Sequence, residues 1–140
     1  MALKEVVQRL ADVPIFSGCS QRELAEIARV VKPMDHPAGS MIAVEGQPGA
    51  GLFVIVEGEA DVTIGGRRIN RLKVGEFFGE LALLDGGPRT ATVTATTDMK
   101  LYALTEWVFR GLLVEHPTIA LHTLEAMAAR LRSATAAATV

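Results

Sequence analysis

The feature that most constrains the fold of this chain is a series of short alternating segments, residues 33–103, separated by glycine-containing turns. Apolar and polar residues alternate with a period of two, which places successive side chains on opposite faces of an extended strand. The pair Gly65-Gly66 separates two such segments and predicts a tight hairpin, because both positions tolerate a positive φ. Many short, evenly spaced strands with turns of this kind predict an antiparallel β-barrel or jelly roll. The predicted strands are Met34–His36, Met41–Val44, Leu52–Glu57, Ala60–Ile64, Arg68–Leu72, Thr90–Ala95 and Lys100–Leu104.

Helical segments flank the β region on both sides. Apolar residues recur at helical spacing over residues 3–10, and Ser20 and Glu23 form a capping box that begins a second helix. Helical spacing returns after the β region, first up to His116 and then over residues 119–131. The chain is therefore predicted to be a single α+β domain, 1–140, with N-terminal helices in 1–32, a β-barrel in 33–104 and C-terminal helices in 106–133.

Composition and charge exclude several classes of protein. At 140 residues, 49% hydrophobic and 21% charged, the chain is long enough for one globular domain with its own core. A net charge of −2 and 5% aromatic residues argue against a nucleic-acid surface. The single cysteine, Cys19, excludes a disulfide framework within the chain and fits a reducing compartment. Charges interrupt every apolar run, so we expect no membrane insertion. Together with the net charge and the single cysteine, this predicts a cytoplasmic protein without a direct nucleic-acid partner.

Residues 75–91 combine groups that an ordinary core segment does not need. If residues 80–84 form a short helix, its N-terminus offers backbone N–H groups and the positive end of a dipole to an anion. Gly79 lets the backbone approach a ligand closely, and Arg89 would supply a charge-assisted contact to a phosphate. Glu80 is suited to accept a hydrogen bond from a ribose hydroxyl. A carboxylate that can bind a sugar, next to an arginine and backbone amides that can bind a phosphate, predicts a nucleotide ligand.

The run 78–84, followed by residues 88–91, resembles the phosphate-binding cassette of cyclic nucleotide-binding domains. The glycine-punctuated strands upstream and residues 127–131 downstream are similar to other parts of the same family, so the resemblance covers nearly the whole chain. It implies a jelly-roll barrel with flanking helices. It also implies cyclic AMP or cyclic GMP as the ligand, with no other cofactor and no metal.

The resemblance also implies a role for each residue of the site. Glu80 would bind the ribose 2′-hydroxyl and Arg89 the cyclic phosphate, and the hydroxyl of Thr90 permits cyclic GMP without excluding cyclic AMP. The implied phosphate and ribose residues are Gly79, Glu80, Leu81, Ala82, Arg89 and Thr90. The implied base-lining residues are Ile69 and Leu72 from a strand and Leu131 from the last helix, with Arg130 or Thr135 as further candidates.

Plainer interpretations stand beside these. Glu80 and Arg89 would also suit an ion pair in a degenerate cassette that binds nothing, and Thr90 would suit an ordinary strand position. Leu131 at helical spacing is also typical of simple packing. A cupin would share the architecture, but it needs several metal-binding histidines, and only His36 lies in the β region. No nucleophile and base are paired around the cassette, so we expect no catalytic activity.

The sequence therefore predicts a non-catalytic cyclic nucleotide sensor whose C-terminal helices change position on ligand binding. The alternative is a degenerate module of the same fold that binds a protein partner and no nucleotide. The output would pass to an effector protein or to a covalently linked effector domain, and the Met1-Ala2 start favours a complete protein or an N-terminal piece. Length and charge disfavour a transcription factor. The sequence leaves open whether the last helix pairs with a second copy, as a homodimer, or folds back on its own barrel.

Overall fold

A computed structural model describes residues 2–48, 51–79 and 87–134 of the chain. The helices in these residues are α1 (Leu3–Ala11), α2 (Gln21–Val30), α3 (Glu106–Glu115) and α4 (Pro117–Ala134), with a 3-10 turn at Pro14–Phe16. The strands are β1 (Lys32–His36), β2 (Met41–Ala43), β3 (Gly51–Glu57), β4 (Ala60–Ile64), β5 (Arg67–Leu72), β6 (Phe77–Phe78), β7 (Thr92–Ala95) and β8 (Met99–Thr105).

The strands of the described residues form two four-stranded sheets, ordered β1-β8-β3-β6 and β2-β7-β4-β5. Every pairing is antiparallel, which confirms the predicted jelly-roll class, although the sheets face each other as a sandwich and do not close into one barrel. The Gly65-Gly66 hairpin is confirmed, with φ values of +59° and +80° at its two glycines. The strand Phe77–Phe78 was not predicted, because two residues are too few to show a period of two.

The two central strands of the first sheet, β3 and β8, are buried on both faces. On one side Leu52, Val54 and Tyr102 pack against the helices, and on the other Ile55 and Leu101 pack against the second sheet. This double burial explains why β3 is a nearly continuous apolar run, whereas β7 of the second sheet alternates between buried and half-buried residues. The molecule is therefore layered as helices, first sheet and second sheet.

The N-terminal helices cover the outer face of the first sheet. Leu10 of α1 and Ile27 of α2 are fully buried there, and the capping box is confirmed, since Ser20 and Glu23 each accept a backbone N–H of the other. Arg9 extends from α1 to the end of β3, where its Nη2 lies 3.0 Å from Glu57 Oε1.

The C-terminal helices are tied to the N-terminal ones at the junction between α3 and α4. His116 follows α3, and its Nδ1 lies 2.6 Å from Glu23 Oε2 at the start of α2. One turn later Ile119 is fully buried in the helical core. The beginning of α4 is thus fixed, and its last turns lie near the strand that precedes the cassette.

Candidate functional site

The backbone of Arg89 is fixed by the loop that follows β2. Its N–H donates to the carbonyl of Gln47 at 2.9 Å, and its own carbonyl accepts from the N–H of Gly46 at 2.9 Å. An isolated antiparallel bridge joins Pro48 to Pro88 beside them. These contacts join the Pro88-Arg89 segment to the loop, so the side chain of Arg89 starts from a defined backbone position.

The side chain of Arg89 lies over the ring of Phe53, which stacks on Phe78, and we call these two rings the aromatic floor. Its guanidinium carbon lies 5.5 Å from the centroid of the Phe53 ring, within the range of a cation–π contact. Phe53 in turn stacks on Phe78, with ring centroids 5.1 Å apart and planes inclined by 27°. The two phenylalanines are direct partners in the register of β3 and β6, so the sheet itself sets the floor. Arg89 is half-buried, which strengthens charge-assisted contacts relative to a fully solvated arginine.

Gly79 closes the side of this site. It has a φ of +96°, and a Cβ built at this position would lie 2.6 Å from Arg89 Nη1 and 2.5 Å from the carbonyl oxygen of Gly51. Both separations are shorter than van der Waals contact, so only glycine lets the chain pass between the guanidinium and β3. The structure therefore brings together Gly79 and Arg89, two of the residues that the sequence placed in the phosphate site.

The remaining predicted residues are distributed differently. Thr90 is exposed immediately after Arg89, and Ile69 is exposed on β5. Leu72 has only 3% of its surface exposed, in the core between the sheets. Leu131 lies on the exposed side of α4. The predicted ligand residues Glu80, Leu81 and Ala82, the predicted short helix 80–84 and the candidate Thr135 lie outside the described residues.

Arg130 connects α4 to the strand that leads into the cassette. Its Nη2 donates to the carbonyl oxygen of Phe77, and its guanidinium carbon lies 4.5 Å from the centroid of the Phe77 ring. Phe77 points to the helical layer, while its neighbour Phe78 points between the sheets, as alternation along a strand requires. A two-residue strand thus has the last helix on one face and the floor of Arg89 on the other.

Titratable groups away from the cassette have structural roles. Burial raises the pKa of the Cys19 thiol, so this cysteine is poorly suited to act as a nucleophile. The hydrogen bond to Glu57 raises the pKa of Arg9, and burial raises that of Tyr102. Within residues 2–48, 51–79 and 87–134, no three His, Cys, Asp or Glu side chains are grouped so as to hold a metal ion.

Sequence reasoning missed Phe53 as the partner of Arg89, and it missed the contact that Arg130, a candidate for the base, makes with Phe77. Phe53 lies 25 positions before Phe78, and only the register of two strands reveals that their rings meet. The contact of Arg130 with Phe77 spans 53 positions. The one available signal was the pair Phe77-Phe78 itself, because adjacent aromatics in a strand must face opposite layers.

Known proteins of one family resemble this chain in sequence and in fold. The model of the cyclic nucleotide-binding domain family matches residues 33–116. A cAMP-dependent protein kinase regulatory subunit of Aspergillus niger is 41% identical over 106 residues, covering 74% of this chain and 26% of its own. A CRP-like cAMP-activated global transcriptional regulator of Mycobacterium tuberculosis is 33% identical over 130 residues, covering 88% of this chain and 57% of its own. The solved catabolite activator protein of Thermus thermophilus superposes with a TM-score of 0.78 at 31% identity, covering 86% of this chain and 59% of its own.

The chain therefore belongs to the cyclic nucleotide-binding domain family. It spans between about a quarter and just over half of the length of these curated relatives. No helix in the described part of the chain is long and apolar enough to cross a membrane.

Proposed function

We propose that this chain is a non-catalytic regulatory domain that binds a cyclic nucleotide, with the cyclic phosphate on Arg89. The observation that carries the proposal is the placement of the Arg89 guanidinium beside Gly79 and above Phe53. A side chain held in this way is oriented before a ligand arrives, so little conformational entropy is lost on binding.

The other ligand contacts are proposed from the resemblance of the cassette to the family. Glu80 binds the ribose 2′-hydroxyl, and backbone groups of Gly79, Leu81 and Ala82 complete the phosphate shell. Cyclic AMP is the first ligand to test, because two relatives, the cAMP-dependent kinase regulatory subunit and the cAMP-activated transcriptional regulator, are named for it. The exposed hydroxyl of Thr90 allows cyclic GMP as a second ligand.

The base is proposed to lie between β5 and α4. Ile69 is exposed on β5, and Leu72 supports the same strand from inside the core. Arg130 lies over the Phe77 ring, whereas 58% of the surface of Leu131 is exposed. A contact between Leu131 and the base therefore belongs to a bound arrangement in which α4 has moved.

Calorimetric titration of the full chain with cyclic AMP and with cyclic GMP tests the assignment. Loss of a charge-assisted contact to phosphate costs about 1.5–3 kcal/mol, so Arg89→Ala should weaken binding by roughly 10- to 150-fold. The matched control is Arg110→Ala, because Arg110 pairs with Glu106 on the surface of α3. Unchanged affinity in Arg89→Ala would overturn the proposal. Absence of binding by the unmodified chain would favour the degenerate interaction module.

The output is proposed to pass through α4 to an effector protein or a covalently linked effector domain. A ligand shifts the position of a helix only by its differential affinity for the two arrangements. Hydrogen exchange of residues 117–134 should therefore change on saturation with cyclic AMP, and it should not change in Arg89→Ala. Chromatography of the nucleotide after incubation should return it intact, since the domain is proposed to be non-catalytic.

A further inference from the structure

Glu45 lies between the end of β2 and the part of the following loop that contacts Arg89. The backbone pairing of β2 with β7 ends at Ala43, which lies opposite Val93. Beyond this pair, the N–H of Glu45 donates to the hydroxyl oxygen of Thr92 at 3.1 Å, so a side chain continues the contact where the backbone pairing stops. The two hydrogen bonds that hold the backbone of Arg89 come from the next two residues of the loop. The backbone of Glu45 is therefore fixed immediately before the contacts with the proposed phosphate residue.

The side chain of Glu45 extends to a different part of the second sheet. Its Oε1 and Oε2 accept the N–H of Gly65 at 3.0 and 3.3 Å, in the turn that joins β4 to β5. The strand order β2-β7-β4-β5 places β7 between β2 and this turn, so the half-buried Glu45 spans the end of β7. A hydrogen bond from a backbone N–H to a carboxylate is charge-assisted and stronger than a neutral one. One residue thus joins the ends of β2, β7 and β4.

The contacts of Glu45 connect the two regions that the proposed ligand would touch. One region is the loop that fixes the backbone of Arg89. The other is the β4–β5 hairpin, whose second strand carries Ile69, a proposed neighbour of the base. Ordering a loop on binding costs affinity, so a contact that orders the loop beforehand strengthens binding. Glu45 is suited to this role because it holds the loop and the hairpin together before a ligand arrives.

We propose that Glu45 is a positioning residue for Arg89, which raises the affinity for a cyclic nucleotide by fixing the Arg89 loop to the β4–β5 hairpin. This role rests on the proposed function, and it requires no contact between Glu45 and the ligand. It requires an oxygen that accepts the N–H of Gly65, which an amide can supply and a methyl group cannot. A carboxylate that acted through its charge alone would repel the cyclic phosphate, and its removal would strengthen binding.

Calorimetric titration of the full chain with cyclic AMP tests the side chain of Glu45. Glu45→Ala should weaken binding by roughly two- to thirty-fold, the range for residues that act on a site without touching its ligand. Glu45→Gln should recover most of the affinity, because its amide oxygen still accepts the N–H of Gly65. The matched control is Asp98→Ala, which also removes a carboxylate that accepts a backbone N–H, that of Ala38 at 2.9 Å, and it should bind as the unmodified chain does. Unchanged or tighter binding by Glu45→Ala, or binding by Glu45→Gln as weak as that by Glu45→Ala, would overturn the proposal.

A double-variant cycle tests whether Glu45 acts through Arg89. The loss of affinity caused by Glu45→Ala should largely disappear in an Arg89→Ala background, because no guanidinium is left to place. A merely structural effect of Glu45→Ala would be the same in both backgrounds, since it does not depend on the residue that binds the phosphate. Additive losses would therefore overturn the positioning role.

Amide exchange without nucleotide tests the same contact independently of the proposed ligand. The N–H groups of Gly46 and Arg89 donate the two hydrogen bonds between the loop and the Arg89 segment, at 2.9 Å each. Both should exchange faster in Glu45→Ala, and both should keep their rates in Glu45→Gln and Asp98→Ala. Unchanged rates in Glu45→Ala would overturn the proposal. If the unmodified chain binds neither cyclic AMP nor cyclic GMP while Glu45→Ala accelerates exchange, the proposed function fails, whereas the placement of the Arg89 loop by Glu45 is supported.

Discussion

Arg130 of the last helix lies over the ring of Phe77 and donates a hydrogen bond to the carbonyl oxygen of the same residue. Phe77 is followed at once by Phe78, whose ring stacks on Phe53 beneath Arg89. The proposed phosphate site and α4 are therefore in contact with adjacent residues of one short strand. A displacement of that strand on ligand binding would act on both at once, without a long chain of intermediates.

Substitution of Arg130 should loosen α4 specifically. Arg130→Ala removes a partly buried cation–π contact and a charge-assisted hydrogen bond, so the free energy of unfolding should fall by about 1–2 kcal/mol. Amide exchange in the last turns of α4 should accelerate at the same time. Denaturant unfolding and hydrogen exchange measure the two effects. The control is Arg132→Ala, an exposed arginine of the same helix, and equal losses in both variants would contradict a specific tie.

Gly79 should not tolerate a methyl group. In Gly79→Ala the new Cβ would meet Arg89 Nη1 and the Gly51 carbonyl, so the guanidinium or β3 must shift. We expect binding of cyclic AMP to weaken and the free energy of unfolding to fall by about 1–3 kcal/mol. The control is Gly66→Ala, at a φ of +80° with nothing within 4 Å of the added atom, which measures the backbone strain alone. If both variants bind the nucleotide equally well, the close approach at Gly79 is not needed for the site.

The sequence was most informative where structure is local. The capping box of Ser20 and Glu23 and the Gly65-Gly66 turn follow from the chemistry of neighbouring residues, and both were predicted. The pairing of Gly79 with Arg89 was accessible because one compact motif carries both residues. The division of the strands into two sheets was not predicted, because alternation reports a buried face without reporting which strand lies beside it. The contact between Arg130 and Phe77 was beyond reach for the same reason.

The aromatic floor should contribute directly to affinity. Phe53→Leu retains most of the volume but removes the ring beneath Arg89 and the stack on Phe78. The loss of a cation–π contact of about 0.5–1 kcal/mol should weaken cyclic AMP binding by roughly two- to five-fold. Calorimetry of Phe53→Leu, Arg89→Ala and the double variant measures the coupling of the two side chains. Strictly additive losses would show that the floor acts independently of the arginine.

The contact between Glu23 of α2 and His116 at the α3–α4 junction should make the free energy of unfolding depend on pH in the acidic range. The backbone N–H of Ser20 donates to the Glu23 carboxylate, and this hydrogen bond is the largest cause that lowers the pKa of Glu23. Desolvation raises that pKa, while the Ser20 hydroxyl and His116 lower it by smaller amounts. Because the folded pKa lies below the unfolded one, the contribution of Glu23 is complete above the unfolded value of about 4.3. It is lost progressively as pH falls through the folded pKa.

Glu23→Gln should remove this part of the pH dependence. Urea unfolding between about pH 3 and pH 7 should show the unmodified chain as the more stable at the neutral end, with the difference shrinking towards the acidic end. The difference shrinks because a protonated Glu23 accepts hydrogen bonds from the Ser20 N–H and from His116 Nδ1 less well than a carboxylate does. The control is Glu26→Gln, an exposed position of the same helix. If the free energies of unfolding of Glu23→Gln and the unmodified chain differ by the same amount over the whole pH range, the negative charge of Glu23 does not contribute to stability.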